Sequence, residues 1–250
     1  GDRLVEPFVG SGAVFLNTDY PRYLLTDANA DLITLYQHLQ TEGEAFIDYC
    51  RPLFRPENNQ KDRYYAYRTK FNITKDKREK SALFIYLNRH CYNGLCRYNS
   101  KSQFNVPFGR YKSSYFPEKE MQYFIQKAQN AEFRYSDFTD TMQNCNNGDV
   151  VYCDPPYAPL SETASFTAYN KKEFGIEQQK ELVEQAELLA NRGVTVVVSN
   201  HDTDFVRSIY ASAIIQPLTV QRFISCNGSK RKKANEILAL FSSKNRSHFG

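Results

Sequence analysis

Apolar runs of strand length alternate with stretches of helical spacing at both ends of the chain, and the alternation breaks off in the middle. Leu4-Val5-Glu6-Pro7-Phe8-Val9 leads into Gly10-Ser11-Gly12 and then Ala13-Val14-Phe15-Leu16, which predicts strand, glycine turn and helix. A second apolar strand, Tyr23-Leu24-Leu25-Thr26, ends at Asp27, and a helix is expected over 28–40. From 41 the rhythm is lost: 55–80 is rich in charge and in Tyr64, Tyr65 and Tyr67, and 81–87 is an apolar helix-like run. It resumes with Phe133-Arg134-Tyr135 and with the buried strand Val150-Val151-Tyr152-Cys153. Positions 176–191 are apolar at helical spacing and end at Gly193, a helix-stop signal. The β-branched run 194–198 reads as a central strand, and strands around 214–223 and 235–241 finish the sheet. The expected fold is α/β and doubly wound, built from 1–40 and 131–250, with an insert at 41–130.

Composition adds bounds rather than identity. In 250 residues, 32 Lys+Arg against 28 Asp+Glu leave only +4, so any anion-binding surface has to be local. Aromatic residues, all Tyr and Phe, make up 14% of the chain and permit nucleic-acid binding without proving it. Six cysteines form no C-x-x-C pair and the histidines are not spaced as ligands beside them, so no metal is expected. No run reaches membrane length and no signal peptide opens the chain, which points to a reducing cytoplasm and no membrane. The matches to a glycosylation acceptor at Asn72 and Asn227 are then chance. The chain starts at Gly1 without Met and enters a strand at once, so it reads as a fragment whose beginning is missing.

The chemistry concentrates at Asp154-Pro155-Pro156-Tyr157, directly after the 150–153 strand. Neither proline has an N–H for a ladder, so the strand stops there, and Pro155 biases Asp154 toward an extended backbone that aims its carboxylate. An exocyclic amino group on a nucleobase is a poor nucleophile, because its lone pair is delocalised into the ring. The Asp154 carboxylate and the Pro155 carbonyl can accept both of its N–H bonds and turn the lone pair toward an electrophile, while Tyr157 stacks on the base. The plainer alternative is a strand that stops at a Pro-Pro turn.

Gly10 and Gly12 let the backbone approach a ligand. A dinucleotide fingerprint would need a third glycine where Phe15 stands, which argues against a pyrophosphate. Asp27, at the tip of the second strand, can accept from ribose hydroxyls or cap the following helix. In the insert, 88–99 and 104–112 interleave Arg, Lys, Asn and Tyr around Gly turns, as a hairpin with exposed polar tips does. Such a surface suits nucleic acid, and a solvated loop is the alternative. Ser199-Asn200-His201-Asp202 can shape a base pocket, although the reading favours capping a helix at 203–211. Lys230-Arg231-Lys232-Lys233 is either a solvated tip or a phosphate contact.

Glu6-Pro7-Phe8-Val9-Gly10-Ser11-Gly12, a long insert, and then Asp154-Pro155-Pro156-Tyr157 is the motif order of S-adenosylmethionine-dependent amino methyltransferases with target recognition between the cofactor and catalytic motifs. More closely, Tyr86-Leu-Asn-Arg, Tyr92-Asn-Gly-Leu-Cys-Arg-Tyr-Asn, Phe104-Asn-Val-Pro-Phe-Gly-Arg-Tyr and Ser199-Asn-His-Asp resemble the Dam-type DNA adenine methylases acting at GATC. The likeness covers nearly the whole chain.

The resemblance implies a seven-stranded Rossmann-like sheet with a helical, hairpin-bearing recognition domain. It implies that Phe8, Gly10, Gly12 and Asp27, with Asp154, line an S-adenosylmethionine site that yields S-adenosylhomocysteine without a metal. Asp154, Pro155, Pro156 and Tyr157 would hold a flipped adenine of double-stranded GATC DNA. Tyr92 would wedge beside it, Asn93, Leu95, Arg97 and Pro107 would read the site, and Arg68, Arg89, Asn99, Asn105 and Lys112 would hold the backbone. A monomer in a bacterial or phage cytoplasm, associated with the nucleoid through DNA, follows from the same likeness. One departure stands out: a family segment of the form Phe-x-x-Trp-x-Gly-Gly-Lys ahead of the first strand is absent from this sequence. Methylation of RNA adenine or of cytosine N4, and a non-catalytic sequence-specific DNA-binding protein, are the competing readings.

Overall fold

A computed structural model describes residues 1–113, 115–158, 174–221 and 233–243. Seven strands form one sheet: β1 (Arg3–Glu6), β2 (Arg22–Asp27), β3 (Ala131–Tyr135), β4 (Asp149–Cys153), β5 (Thr195–His201), β6 (Ile214–Gln221) and β7 (Lys233–Phe241). Their order is β3-β2-β1-β4-β5-β7-β6. The β1/β2, β1/β4 and β4/β5 pairs are parallel, and β7 runs antiparallel between β5 and β6. The chain winds outward from β1 to one side and then from β4 to the other. The strand order therefore reverses between β1 and β4, where a doubly wound sheet opens a crevice at the strands' carboxyl ends.

The central strands carry apolar residues on both faces: Val5, Leu24, Val151, Val196 and Val198 share one core with Ile237 and Ala239 of β7, and Leu4, Tyr23 and Leu25 are buried on the opposite face. Arg3 and Asp149, paired across β1 and β4, form a forked ion pair at 2.9 and 2.7 Å that pins the entry of both strands. Helix α7 (Phe138–Gln143) and α8 (Ile176–Asn191) add Met142, Leu182 and Ala186 to this core. Phe15, where a third glycine is missing, is fully buried against the Tyr23 ring at 4.9 Å in the short helix α1 (Ala13–Leu16).

The chain divides into two compact units, Gly1–Ala28 with Arg134–Gly250, and Asn29–Phe133. The second holds α2 (Ala30–Glu42), α3 (Glu44–Cys50), α4 (Lys61–Ile73), α5 (Lys77–His90) and α6 (Glu118–Lys127). Helix α2, which the sequence groups with the sheet, packs on α5 and so lies in this helical unit. Asn29, not Asp27, caps α2, accepting from the N–H groups of Asp31 and Leu32. No helix among the described residues is long and apolar enough to cross a membrane.

Candidate active site and nucleic-acid interface

In the first unit a cavity of about 780 Å³ opens at the carboxyl ends of the central strands. Its wall includes Phe8, Asp27, Phe138, Asp154, Pro155, Pro156, Tyr157 and Glu236. Most of these arrive there because a strand stops, whereas Glu236 stands within β7. β1 ends at Glu6, since Pro7 cannot continue a ladder, and Phe8 follows. The chain then turns through Gly10 and Gly12, whose φ values of 46° and 71° are left-handed, a conformation that a side chain rarely adopts. Asp27, at the end of β2, accepts from the N–H of Gly10 at 3.0 Å, so one carboxylate holds the turn and faces the cavity. Gly10 and Gly12 shape this turn without themselves forming the wall.

Phe8 stacks on Phe138 at 5.4 Å and meets Phe174 edge-on at the same distance. Three rings and the carboxylates of Asp27, Asp137, Asp154 and Glu236 thus share one cavity. The combination fits a ligand with a flat aromatic part and a positive charge, and the volume suits a molecule of nucleoside size. Sequence reading missed Asp137, Phe138, Phe174 and Glu236. Asp137-Phe138 follows a strand end, a position that would have exposed it; Glu236 depends on the antiparallel insertion of β7, which leaves no local signal.

Asp154 leaves β4 exposed to the cavity, and the Ser199 hydroxyl donates to its Oδ1 at 2.7 Å. Tyr157 is half-buried, with its hydroxyl donating to Glu236 Oε2 at 3.4 Å and its ring edge-on to His201 at 4.8 Å. Burial raises its phenol further above the ordinary range. The sequence favours 199–202 as a helix cap, and the structure corrects this. Thr203 caps α9 (Asp204–Ile209), Asp202 pairs with Arg207, and Ser199, Asn200 and His201 all turn to the 153–158 segment. The caps and strand ends are adjacent in sequence, so only the register of β5 separates them. The 230–232 run and the Lys233 side chain lie outside the described residues.

Glu6 is only 2% exposed, and its Oε1 has no hydrogen-bond partner among the described residues. Burial, opposed by the Phe15 backbone and reinforced by the charge of Asp154, raises its carboxyl to about 8. A raised folded value means that the folded protein holds more protons than the unfolded chain between about 4.5 and about 8. The stability from this group is full at low pH and is lost as pH climbs through that window. Glu6→Gln should therefore flatten the decline. The Tm of wild type should fall relative to that of the variant from pH 6 to pH 9, and a constant difference over that range would show that Glu6 is not the carrier.

The helical unit carries 17 Lys+Arg against 11 Asp+Glu, whereas the rest of the chain carries 15 against 17. The weak overall charge thus hides a basic unit. Within it, antiparallel bridges join Cys91 to Phe108 and Tyr98 to Phe104, forming the expected hairpin. Residues at four-residue spacing on α4 hold it: Tyr64 and Arg68 donate to the Val106 carbonyl at 2.8 and 3.0 Å, and Asn72 both donates to and accepts from the Phe104 backbone. Tyr92, Leu95, Arg97 and Pro107 remain exposed on the hairpin. Asn93 takes a left-handed φ of 54° at its turn, with its N–H donating to the Tyr111 hydroxyl at 2.9 Å.

Asn105 Oδ1 accepts from Arg97 Nε at 2.8 Å, and Asn99 closes the hairpin tip by accepting from the N–H groups of Lys101 and Gln103. Arg89 lies over the Tyr115 ring at 5.3 Å, and Lys112 is exposed. Arg68 braces the hairpin through the Val106 carbonyl and also lies over the Tyr65 ring of its own helix. The Asn72 acceptor match is occupied by the Phe104 backbone.

Known proteins add an independent line. A family model described as D12 class N6 adenine-specific DNA methyltransferase matches residues 1–224. The DNA adenine methylase of Escherichia coli (strain K12) is 52% identical over 241 residues, 96% of this chain and 87% of that protein. Those of Serratia marcescens and of Vibrio cholerae serotype O1 (strain ATCC 39541) are 50% and 49% identical, each over 96% of this chain and over 90% and 87% of their own length. With an acid-and-aromatic cavity at the switch point of its sheet and a basic helical unit bearing a hairpin, the chain belongs to the D12 class of N6 adenine-specific DNA methyltransferases.

Proposed function

We propose that this protein, acting as a monomer, methylates N6 of adenine in duplex GATC, with S-adenosylmethionine as donor, S-adenosylhomocysteine as product and the target base turned out of the helix. The observation that carries the reading is the shared cavity wall, on which Asp154, Pro155, Pro156 and Tyr157 stand beside Phe8 and Asp27. Phe8, the Gly10 to Gly12 turn, Asp27 and Asp154 would hold the donor, whose sulfonium supplies an electrophilic methyl when bound.

The chain's own residues supply the rest. The Asp154 carboxylate and the Pro155 carbonyl accept the two N–H bonds of the adenine amino group and draw its lone pair out of conjugation. Tyr157 offers a face for stacking, and its edge contact with His201 keeps the ring from rotating. In the other unit, Asn93, Leu95, Arg97 and Pro107 read base edges, Tyr92 fills the space vacated by the base, and Arg68, Arg89, Asn99, Asn105 and Lys112 hold the backbone.

Labelled methyl transfer to three duplexes tests the whole reading. Label should appear in GATC DNA, and not where that adenine is already methylated or where the site is scrambled. Equal label in the scrambled duplex would remove the sequence assignment, and label in the premethylated duplex would move the target off N6. No label with retained GATC binding would favour a non-catalytic DNA-binding protein.

A further inference from the structure

Three consecutive residues at the end of β5 reach the 153–158 segment. Ser199 donates to the Cys153 carbonyl at 3.2 Å as well as to Asp154. His201 Nδ1 meets the Ala158 carbonyl at 2.9 Å. Between them Asn200, with no exposed surface, accepts at its single Oδ1 from the N–H groups of Ala158 and His201, at 3.1 and 2.9 Å. Its Nδ2 donates to Gln179 Oε1 at 2.9 Å and to the Tyr210 hydroxyl oxygen at 3.0 Å. Gln179, 1% exposed on α8, donates in turn to the Pro156 carbonyl at 2.8 Å.

Two almost fully buried amides need a reason, since any polar atom of theirs left unsatisfied is destabilising. The prolines give one. Pro155 and Pro156 have no N–H, so sheet hydrogen bonding cannot register the backbone beyond Cys153. Side chains must do it, through the groups that the imides leave: the carbonyl of Pro156 and the N–H of Ala158. Gln179 takes the first and Asn200 the second, and the Pro155 carbonyl stays outside the clamp. We propose that Asn200 and Gln179 are positioning residues for methyl transfer. Their buried relay, anchored on Tyr210, fixes the backbone on the far side of the two prolines and so sets where the Asp154 carboxylate and the Pro155 carbonyl stand. The proposal rests on the tetrapeptide being catalytic.

The test is single-turnover methylation by the full chain, with dissociation constants for S-adenosylmethionine and for GATC duplex measured in parallel. Gln179→Leu should slow the methylation step by about 10- to 100-fold, as small misplacements do, while both dissociation constants move less than about threefold. Gln179→Glu keeps the acceptor for Asn200 and donates to Pro156 only when protonated. Its rate relative to wild type should therefore rise as pH falls from 9 to 6, which a packing role would not produce. Asn200→Asp keeps both accepted bonds and loses both donors, so combining it with Gln179→Leu should cost no more than either change alone.

Asp154→Ala is run beside them. Full activity there removes the catalytic reading itself. An inactive Asp154→Ala beside a Gln179→Leu protein of wild-type rate overturns the positioning role. If Gln179→Leu does not fold, a flat pH ratio for Gln179→Glu overturns it equally.

Discussion

Replacing Asp154 by alanine should all but abolish methyl transfer and leave binding to GATC duplex measurable. The carboxylate stands at the end of β4 on the cavity wall, held by the Ser199 hydroxyl at 2.7 Å, so it is oriented before any ligand arrives. Removing one pre-oriented polar group of this kind costs about 10²–10³ in rate. Here the loss should reach at least about 10³, because the remaining acceptor cannot by itself draw the amine lone pair from the ring. Asp154→Asn separates shape from chemistry. The amide fills the same space but puts an NH2 group, a donor, where one carboxylate acceptor stood, so it should be much slower than wild type although it keeps one acceptor oxygen. Duplex affinity should change only severalfold, since the residues assigned to base reading and backbone contact lie in 29–133. Wild-type single-turnover rates in both variants would remove Asp154 from the reaction.

The strands and the tetrapeptide were legible because they are local. A β-branched run such as 194–198 buries Val194, Val196 and Val198 on one face and half-buries Thr195 and Val197 on the other, and a Pro-Pro pair ends a strand whatever surrounds it. The hairpin was legible for a similar reason, as turn residues at fixed offsets separate its two arms. What the sequence could not show depends on register and on distant pairing. Asp27 had two possible roles on paper, and the N-cap bond of Asn29 removed one of them. Asn200 and Gln179 contact the 153–158 segment from 42 and 23 residues away in the chain, and their neighbours look like an ordinary cap and an ordinary amphipathic helix. Glu236 reaches the cavity only because β7 inserts antiparallel beside β5. Arg68 reads as a backbone contact by likeness, while its bond to the Val106 carbonyl arises from α4 packing on the hairpin.

Arg97→Ala and Lys112→Ala should fail in different ways, and the difference tests how the helical unit divides its work. Arg97 is exposed on the hairpin, with Nε bonded to Asn105 Oδ1 at 2.8 Å and Nη2 3.5 Å from the Asn105 carbonyl. One edge of the guanidinium is thereby fixed, and the outer edge is left to form a fork on guanine O6 and N7. Such a pair is worth about 1–3 kcal/mol, or about 5- to 150-fold, against a wrong base. Arg97→Ala should lower affinity for GATC by that factor and barely alter affinity for a scrambled duplex, so the specificity ratio collapses. Arg97→Lys keeps the charge and loses the fork; it should match alanine in specificity and wild type in salt dependence. Lys112 is exposed and offers a single charge. Its removal should weaken both duplexes alike and reduce the slope of log K against log salt by about 1. Titrations of the two duplexes at several salt concentrations separate these behaviours. Identical changes in ratio and slope for Arg97→Ala and Lys112→Ala would mean that reading and anchoring are not divided between them, and that the Asn105 brace serves folding of the hairpin rather than base recognition.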